Sequence, residues 1–356
     1  MRRTIDMITI KRKSTLLTIM MLGLVLFGWN CGGVGDNGDS QTSGANVCSG
    51  EPSECFNLLD GWSWEGKVVD EPYLFDVTIV RLDDGRYRLY GGSPDDPHAV
   101  DSYISNDGLN FQKEDGHRLT KAFLPFVLKL SDGRFRLYYT DQETPIGEYG
   151  GRAIKSAISE DGLNFTVEEG DRLTYTGDGY ESLGIRGAKI LQLKDGSFRM
   201  YYDGIDENNH WRVLSAISND GLNWTREEGV RLDPSDLCPP ETGIGNIAPL
   251  ITSDGIYHLY VTTMKCDDEV YSNSKGGIFD ATSLDGLTFT IGNTPIIETY
   301  YLADRYTGNP GDPKAVPQDP AVIMTDSGVR MYFGVYSGPT VIDESAIYSI
   351  INHSIE

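Results

Sequence analysis

A short motif, Ser-x-Asp-Gly-Leu-x-Phe/Trp, recurs four times along the chain, and this repeat constrains the fold more than any other feature. The copies begin at Ser105, Ser159, Ser218 and Ser283, and their aspartates are 54, 59 and 65 positions apart. A second motif of the type Asp-Gly-Arg-Tyr-Arg-Leu-Tyr alternates with it. Its copies begin at Asp84, Asp132, Asp195 and Asp254, with a looser fifth copy over 326–332. Two linked motifs at this period indicate one repeat architecture.

Each Asp-Gly pair is a hairpin signal, because Gly adopts positive φ and Asp tolerates it. The flanking residues alternate with period two, as in the segment 134–138, and a third strand of the type Ser-Ala-Ile precedes each Ser-x-Asp-Gly turn. Each unit is therefore predicted to be a four-stranded antiparallel blade of roughly 45–60 residues. The sequence predicts an all-β fold, a five-bladed β-propeller.

The segment 59–66, Leu-Asp-Gly-Trp-Ser-Trp-Glu-Gly, resembles the turn and fourth strand of the other units. The last unit has a third-strand segment at 345–349 but no fourth strand after it. We therefore expect the N-terminal segment to supply the outer strand of blade five and to close the ring, which removes two open sheet edges.

The first residues carry export signals. A basic segment and an apolar run over 16–29 predict a signal peptide over residues 1–30, since fourteen apolar residues are too few to span a bilayer. Cys31 then begins a Gly- and Ser-rich tether over 31–54, which leads into the propeller over 55–356. The pattern favours lipidation at Cys31 and an envelope location, with contact to the membrane only through the lipid. Plain secretion is the alternative, because Trp29 and Asn30 are not the small residues usual before a lipidated Cys.

Four further cysteines form an even set in an oxidising compartment: Cys48, Cys55, Cys238 and Cys266. Proximity favours Cys48–Cys55 and Cys238–Cys266, which is one of three possible pairings. Their spacing is not that of a zinc site, and the acidic segments 206–210 and 266–269 lack calcium-loop spacing. We expect no metal and no cofactor; structural calcium has no support in the sequence.

The formal charge is −23, and no basic stripe interrupts it. A surface this acidic repels phosphate backbones, so nucleic acid is excluded as a partner, whereas neutral glycans fit. We expect a monomer.

The five units, the Ser-x-Asp-Gly turns and first strands such as Asp319-Pro-Ala-Val together resemble the five-bladed glycoside hydrolases, the arabinanase, β-xylosidase and invertase group, over residues 57–356. Sialidase Asp-boxes are a weaker match, since they have one more residue before Trp and six blades. The resemblance implies catalysis in the central channel by a base Asp in blade one, an Asp in blade two that adjusts the pKa, and an acid Glu in blade three. The repeated turn aspartates, such as Asp107, are interpreted as structural.

Counting nine residues back from each hairpin Gly gives the five equivalent channel positions: Asp76, Leu124, Gly187, Asn246 and Asp319, the last uncertain by one residue. Asp76 matches the base position. Leu124 replaces the second Asp, and Arg186-Gly187 stands where the resemblance implies Glu.

Six residues are therefore predicted for the site. We assign Asp76, Asp319 and Glu181 as catalytic residues, and Arg186, Asn246 and Glu241 as substrate-binding residues. Asp76 and Asp319 are expected to face each other across the channel mouth, with Arg186 on the same rim.

Two functions remain open. The first is a cell-surface glycoside hydrolase that acts on a poly- or oligosaccharide by paired-carboxylate chemistry. The second is a non-catalytic propeller that binds a glycan or a protein, since the acid Glu of the family is missing from its position. A Glu pointing into the channel opposite Asp76 would distinguish them.

Overall fold

The structure is a computed structural model that describes residues 47–48, 56–71, 74–96, 98–141, 151–236, 243–264, 277–298, 300–303, 310–337 and 346–355. These residues fall in one compact unit, Ala45–Glu356. The predicted signal peptide, the lipidation site Cys31 and the predicted binding residue Glu241 lie outside the described residues. So do Cys55, Cys238 and Cys266, and the side chain of Cys48 is not described either, so the disulfide pairing remains a prediction.

Five sheets account for nearly all regular structure of the described residues, and their strand pairs are antiparallel except for one two-residue pair, which confirms the all-β, five-bladed prediction. Two strands precede the first blade: β1 (Val47–Cys48) and β2 (Trp62–Val69). Blade one contains β3 (Thr78–Arg81), β4 (Tyr87–Gly92), β5 (Ala99–Ser105), β6 (Gln112–Lys113) and a short β7 (Leu119–Thr120). Blade two contains β8 (Ala122–Lys129), β9 (Phe135–Asp141), β10 (Ala153–Ser159), β11 (Thr166–Val167) and a short β12 (Leu173–Thr174).

A 3₁₀ turn over Gly179–Glu181 leads into blade three. That blade contains β13 (Ile185–Gln192), β14 (Phe198–Ile205), β15 (Trp211–Ser218) and β16 (Thr225–Arg226), and a second 3₁₀ turn over Pro234–Asp236 follows. Blade four contains β17 (Gly243–Ile251), β18 (Tyr257–Met264), β19 (Gly277–Ser283), β20 (Thr290–Ile291) and a short β21 (Ile297–Glu298). The last part of the chain contains β22 (Tyr300–Ala303), β23 (Pro310–Thr325), β24 (Gly328–Ser337) and β25 (Ala346–Asn352).

Blade five combines the two ends of the described chain. Its sheet order is β1-β22-β23-β24-β25-β2, so β2 lies outermost beside β25. The pairing is antiparallel, with Trp62 opposite Asn352 and Val69 opposite Ile347. The predicted closure by an N-terminal strand is confirmed.

Contacts that recur between neighbouring blades explain why the two motifs are linked. In blade one, Nη1 of Arg88 donates a 2.9 Å hydrogen bond to the carbonyl of Asp161 in the next blade, and the Tyr90 hydroxyl donates one of 2.9 Å to the carbonyl of Gly162. The same Arg and Tyr pair reaches the next Asp-Gly turn from Arg136, Arg199 and Arg330 and from Tyr138, Tyr201 and Tyr332. The second motif of one blade therefore holds the first motif of the next.

The turn aspartates are engaged within these turns, as interpreted from the sequence. The carboxylate of Asp107 accepts hydrogen bonds from the backbone N–H groups of Asn110 and Leu109 and from the hydroxyl of Ser105. The Asn110 backbone bond is the largest cause that holds the pKa of Asp107 below its usual range. These carboxylates shape the turns.

The boundary between blades four and five departs from the pattern. His258 stands in the place of the arginine and pairs with Asp280 in its own blade, at 3.0 Å. Trp62 packs edge-on against Tyr260, as Phe289 does against Tyr201. The buried hydroxyl of Tyr260, however, has no hydrogen-bond partner within the described part of the chain. The closing boundary thus keeps the aromatic contact and loses both polar ones.

Candidate active site

Five equivalent residues lie within the inner strands or, in blade one, two positions before the strand, and all have left-handed backbones. We call them the inner ring: Asp76, Leu124, Gly187, Asn246 and Asp319, with φ of 49°, 52°, 64°, 49° and 54°. Such φ values are uncommon for residues other than Gly. In blades two to five the strand register shifts directly around this residue, so each lies in a bulge. The shared conformation places Asp319 in the same register as the other four.

Side chains of neighbouring blades hold the inner-ring backbone. The hydroxyl of Thr140 accepts a 3.0 Å hydrogen bond from the N–H of Gly187, and the hydroxyl of Thr262 accepts one of 3.3 Å from the N–H of Asp319. In the equivalent place, Oδ2 of Asp203 accepts a 3.5 Å bond from the N–H of Asn246. The second strand of each of these blades therefore supports the inner-ring residue of the next.

Asp76 is a strongly perturbed acid of the site. Its side chain is buried, and burial together with the negative charge of Asp319 raises its pKa to about 8. The positive charges of Lys189 and Arg186 act in the opposite direction, and Asp203 adds to the rise. The structure therefore brings Asp76, Asp319 and Arg186 into one charged group, in which burial and the neighbouring carboxylate favour the protonated form of Asp76.

Arg186 is fixed by three neighbours. Its Nη2 donates a 2.9 Å hydrogen bond to Oδ1 of Asn246, and its Nε lies 3.6 Å from Oδ2 of Asp203. The guanidinium also stacks over the ring of Trp211, with Cζ 4.3 Å from the ring centroid. Burial raises the pKa of Asp203 to about 6, and the charge of Arg186 opposes the rise. Of the predicted binding residues, Arg186 and Asn246 thus form one hydrogen-bonded unit.

Lys189 links this group to the central channel. Its Nζ lies 3.5 Å from the carbonyl of Pro125 and 5.8 Å from the ring centroid of Phe126. Burial lowers its pKa, and the charges of Asp76, Asp319 and Asp203 counter that effect. Lys189 also lines a cavity of about 230 Å³ between the inner strands of all five blades.

Several solved structures similar to this one are glycoside hydrolases. A thermostable family-43 glycoside hydrolase is 16% identical with a TM-score of 0.59, over 78% of this chain and 88% of that one. An endo-1,4-beta-xylanase from Bacteroides thetaiotaomicron is 15% identical with a TM-score of 0.54, over 81% and 92% of the two chains. An alpha-L-arabinofuranosidase from Lactobacillus brevis is 12% identical with a TM-score of 0.55, over 78% and 91%.

The chain has the fold of the five-bladed glycoside hydrolases. No protein-family model matches the sequence, and no curated protein matches it either. At these identities the likeness concerns the fold, which the sequence resemblance had implied.

Glu181, the third predicted catalytic residue, lies apart from the charged group. Glu181 is buried, and its carboxylate accepts hydrogen bonds from the Tyr202 hydroxyl at 2.7 Å, from Nε of Arg226 at 2.9 Å and from the N–H of Thr176 at 3.0 Å. These partners satisfy both oxygens. Glu181 therefore holds the loop before blade three.

Two charged residues of the site, Asp203 and Lys189, were not predicted from the sequence. Asp203 follows the repeated Tyr201 by two positions, where Thr140 and Thr262 stand in other blades, so the repeat itself contained the signal. Lys189 is a charged residue within the segment 187–191, whose other residues are apolar, and only neighbouring carboxylates would make its burial tolerable.

The described ranges contain no group of three or more His, Cys, Asp or Glu residues arranged to hold a metal ion. Nor do they contain a helix long and apolar enough to cross a membrane.

Proposed function

We propose that the protein is a glycoside hydrolase that cleaves a poly- or oligosaccharide by paired-carboxylate chemistry at the inner ring. The observation that carries the proposal is the buried pair Asp76 and Asp319, placed where the five-bladed glycoside hydrolases are implied to have their chemistry. Buried acids with pKa values perturbed by burial and neighbouring charges are typical of catalytic sites. The structural neighbours named as a xylanase and an arabinofuranosidase support a carbohydrate substrate.

Hydrolysis of a glycosidic bond needs one protonated and one ionised carboxyl group. Because its pKa is raised to about 8, Asp76 enters the reaction protonated and donates its proton to the leaving oxygen. Asp319 then serves as the carboxylate that accepts a proton from water or attacks the sugar. Asp76 thus takes the acid role that the missing Glu leaves open, in place of the base role that the resemblance implied.

Arg186 and Asn246 supply donors for sugar hydroxyl groups beside this pair. Their mutual hydrogen bond and the stacking on Trp211 hold them in place before a ligand arrives. Such preorganisation reduces the entropy lost on binding.

Export belongs to the same proposal. The basic segment, the apolar run and Cys31 support a lipoprotein of the cell envelope, with plain secretion as the alternative. We propose that it acts there as a monomer on external glycans.

The proposal is tested by incubating the purified protein with xylan, arabinan and a panel of other plant and bacterial polysaccharides and measuring reducing ends. We expect release from at least one polymer, and Asp76→Asn and Asp319→Asn should each reduce kcat by about 10²–10⁴-fold. Asp132→Asn is the matched control, because that exposed carboxylate lies in the hairpin at the far end of the blade-two inner strand. If both inner-ring variants release reducing ends at the wild-type rate, the assignment of Asp76 and Asp319 as the catalytic pair is refuted.

A second function is favoured by one observation. Leu124 and Gly187 occupy two of the three positions where the resemblance implies acids, which fits a propeller that binds glycan without cleaving it. In that case, polysaccharide is retained by the wild type, no reducing ends appear, and Asp76→Asn weakens binding only modestly.

A further inference from the structure

Tyr180 is an exposed aromatic side chain beside the candidate active site. About half of it, 49%, is exposed, and no other aromatic side chain in the described ranges is as accessible. Aromatic residues are normally covered in a folded protein because they contribute large apolar area to the core. A single exposed ring next to a buried polar site therefore suggests a ligand contact.

The backbone of Tyr180 lies directly against the strand that carries Asp203. A side chain on Gly204, the next residue of β14, would meet the Tyr180 carbonyl oxygen at 2.7 Å, so only glycine permits this approach. The N–H of Leu183 adds a 2.9 Å hydrogen bond to the carbonyl of Ile205. These contacts place Tyr180 at the end of blade three where Arg186 and Asp203 pair.

The ring is held from one side. The guanidinium of Arg212 lies over it, with Cζ 4.9 Å from the ring centroid. Arg212 is itself fixed by Asp206 and Asp233, each with a carboxylate oxygen 2.6 Å from a guanidinium nitrogen. The neighbouring Glu181 is anchored by Arg226. One ion-pair network therefore supports the ring and a second anchors the next residue, while about half of Tyr180 stays open to solvent.

Sugar rings bind to such a surface. The C–H groups on one face of a pyranose or furanose are weakly positive and apolar, and they match the negative face of an aromatic ring. A ring already fixed in position binds with little loss of rotamer entropy. An anionic ligand is disfavoured here, since Arg212 is already paired with two carboxylates, those of Asp206 and Asp233.

We propose that Tyr180 is a stacking platform for a neutral sugar unit of the glycan, adjacent to the unit held at the inner ring. The inference rests on the proposed function, because it names a second subsite for the same ligand. Tyr180 sets affinity at this subsite and takes no part in bond cleavage. Its removal should therefore weaken binding and leave the chemical step intact.

The test begins with an array of neutral oligosaccharides, including xylo- and arabino-oligosaccharides of two to six units, probed with the wild-type protein. The best ligand is then titrated calorimetrically against Tyr180→Ala, Tyr180→Phe and Val167→Ala. Val167 is the control, since it is an exposed apolar residue on the outer strand of blade two. We expect Tyr180→Ala to lose about tenfold in affinity, and Tyr180→Phe to stay within about twofold because it keeps the ring.

If the ligand is also cleaved, Tyr180→Ala should raise KM about tenfold at unchanged kcat, as expected when a binding contact is equal in the ground and transition states. Equal affinity of wild type and Tyr180→Ala for a ligand of three or more units would overturn the platform and leave the proposed function standing. A wild type that binds no neutral glycan would overturn both.

Discussion

Arg330 and Glu65 are 265 residues apart in the chain, yet Nε and Nη2 of the arginine each donate a 2.8 Å hydrogen bond to the glutamate carboxylate. Ser349 donates a third bond, of 2.6 Å, to the same group. Blades one to three contain the same arrangement within a single stretch of chain, as in Arg88, Glu114 and Ser102. In blade five, Arg330 and Glu65 therefore make between the two ends of the chain a contact that blades one to three make within one segment.

Glu65→Ala should lower the free energy of unfolding by about 1.5–3 kcal/mol, the range for hydrogen bonds to a charged group. The matched control Glu114→Ala removes the equivalent hydrogen bonds to Arg88 and Ser102 within blade one and leaves the closing strand of blade five intact. Chemical denaturation measures both. If the outer strand closes the ring, deletion of residues 59–69 should in addition abolish cooperative unfolding, and an unchanged transition would contradict closure.

Tyrosine hydroxyls at the blade boundaries provide a second comparison. Tyr201→Phe removes a 2.8 Å bond to the carbonyl of Gly286 and should cost about 0.5–1.5 kcal/mol. Tyr260→Phe removes a buried hydroxyl without a described partner, so it should be neutral or stabilising. Thermal or chemical denaturation of the two variants gives the answer, and equal losses would show that the Tyr260 hydroxyl is bonded in solution.

The raised pKa of Asp76 predicts a pH-dependent stability. Its unfolded value is near 3.8 and its folded value about 8, so the folded protein retains a proton that the unfolded chain has released. The stabilisation is complete below pH 3.8 and is lost as the pH rises through 8. Asp76→Asn should therefore raise the melting temperature more at pH 8.5 than at pH 4.5. The exposed Asp132→Asn should show no such rise, and a flat difference for Asp76→Asn would argue against the shift.

Activity should respond to the same proton. If Asp76 donates its proton as proposed, kcat/KM should fall above about pH 8, where its carboxyl group ionises. A pH–rate profile on the best substrate tests this. A rate that keeps rising beyond pH 9 would show that Asp76 acts in its ionised form.

Cys31→Ser should move the protein from the membrane fraction to the soluble exported fraction, because a lipid chain is the expected anchor. Cell fractionation with immunodetection distinguishes the two. A wild-type protein that is already soluble, with a mature N-terminus after Cys31, would establish plain secretion.

The repeat made the inner ring predictable, because nine residues separate each hairpin Gly from a left-handed residue in every blade, including Asp319. Local sequence patterns were less informative about which side chains are buried. Trp62 is buried, whereas Trp64, two residues further along the same strand, is only partly covered and packs on Tyr348 with the ring centroids 5.4 Å apart. The carboxylate of Glu181 is held by Arg226, 45 residues away, and no local spacing encodes that contact.

The inner ring also accommodates side chains of different chemical types at equivalent positions around the propeller axis. Its five residues share one backbone conformation, although they include two acids, an amide, an aliphatic side chain and a glycine. A single substitution at one of these positions can therefore add or remove an acid while the course of the chain stays the same. Leu124 and Gly187 are the two positions of the inner ring where a single substitution would introduce a carboxylate that the family resemblance implies.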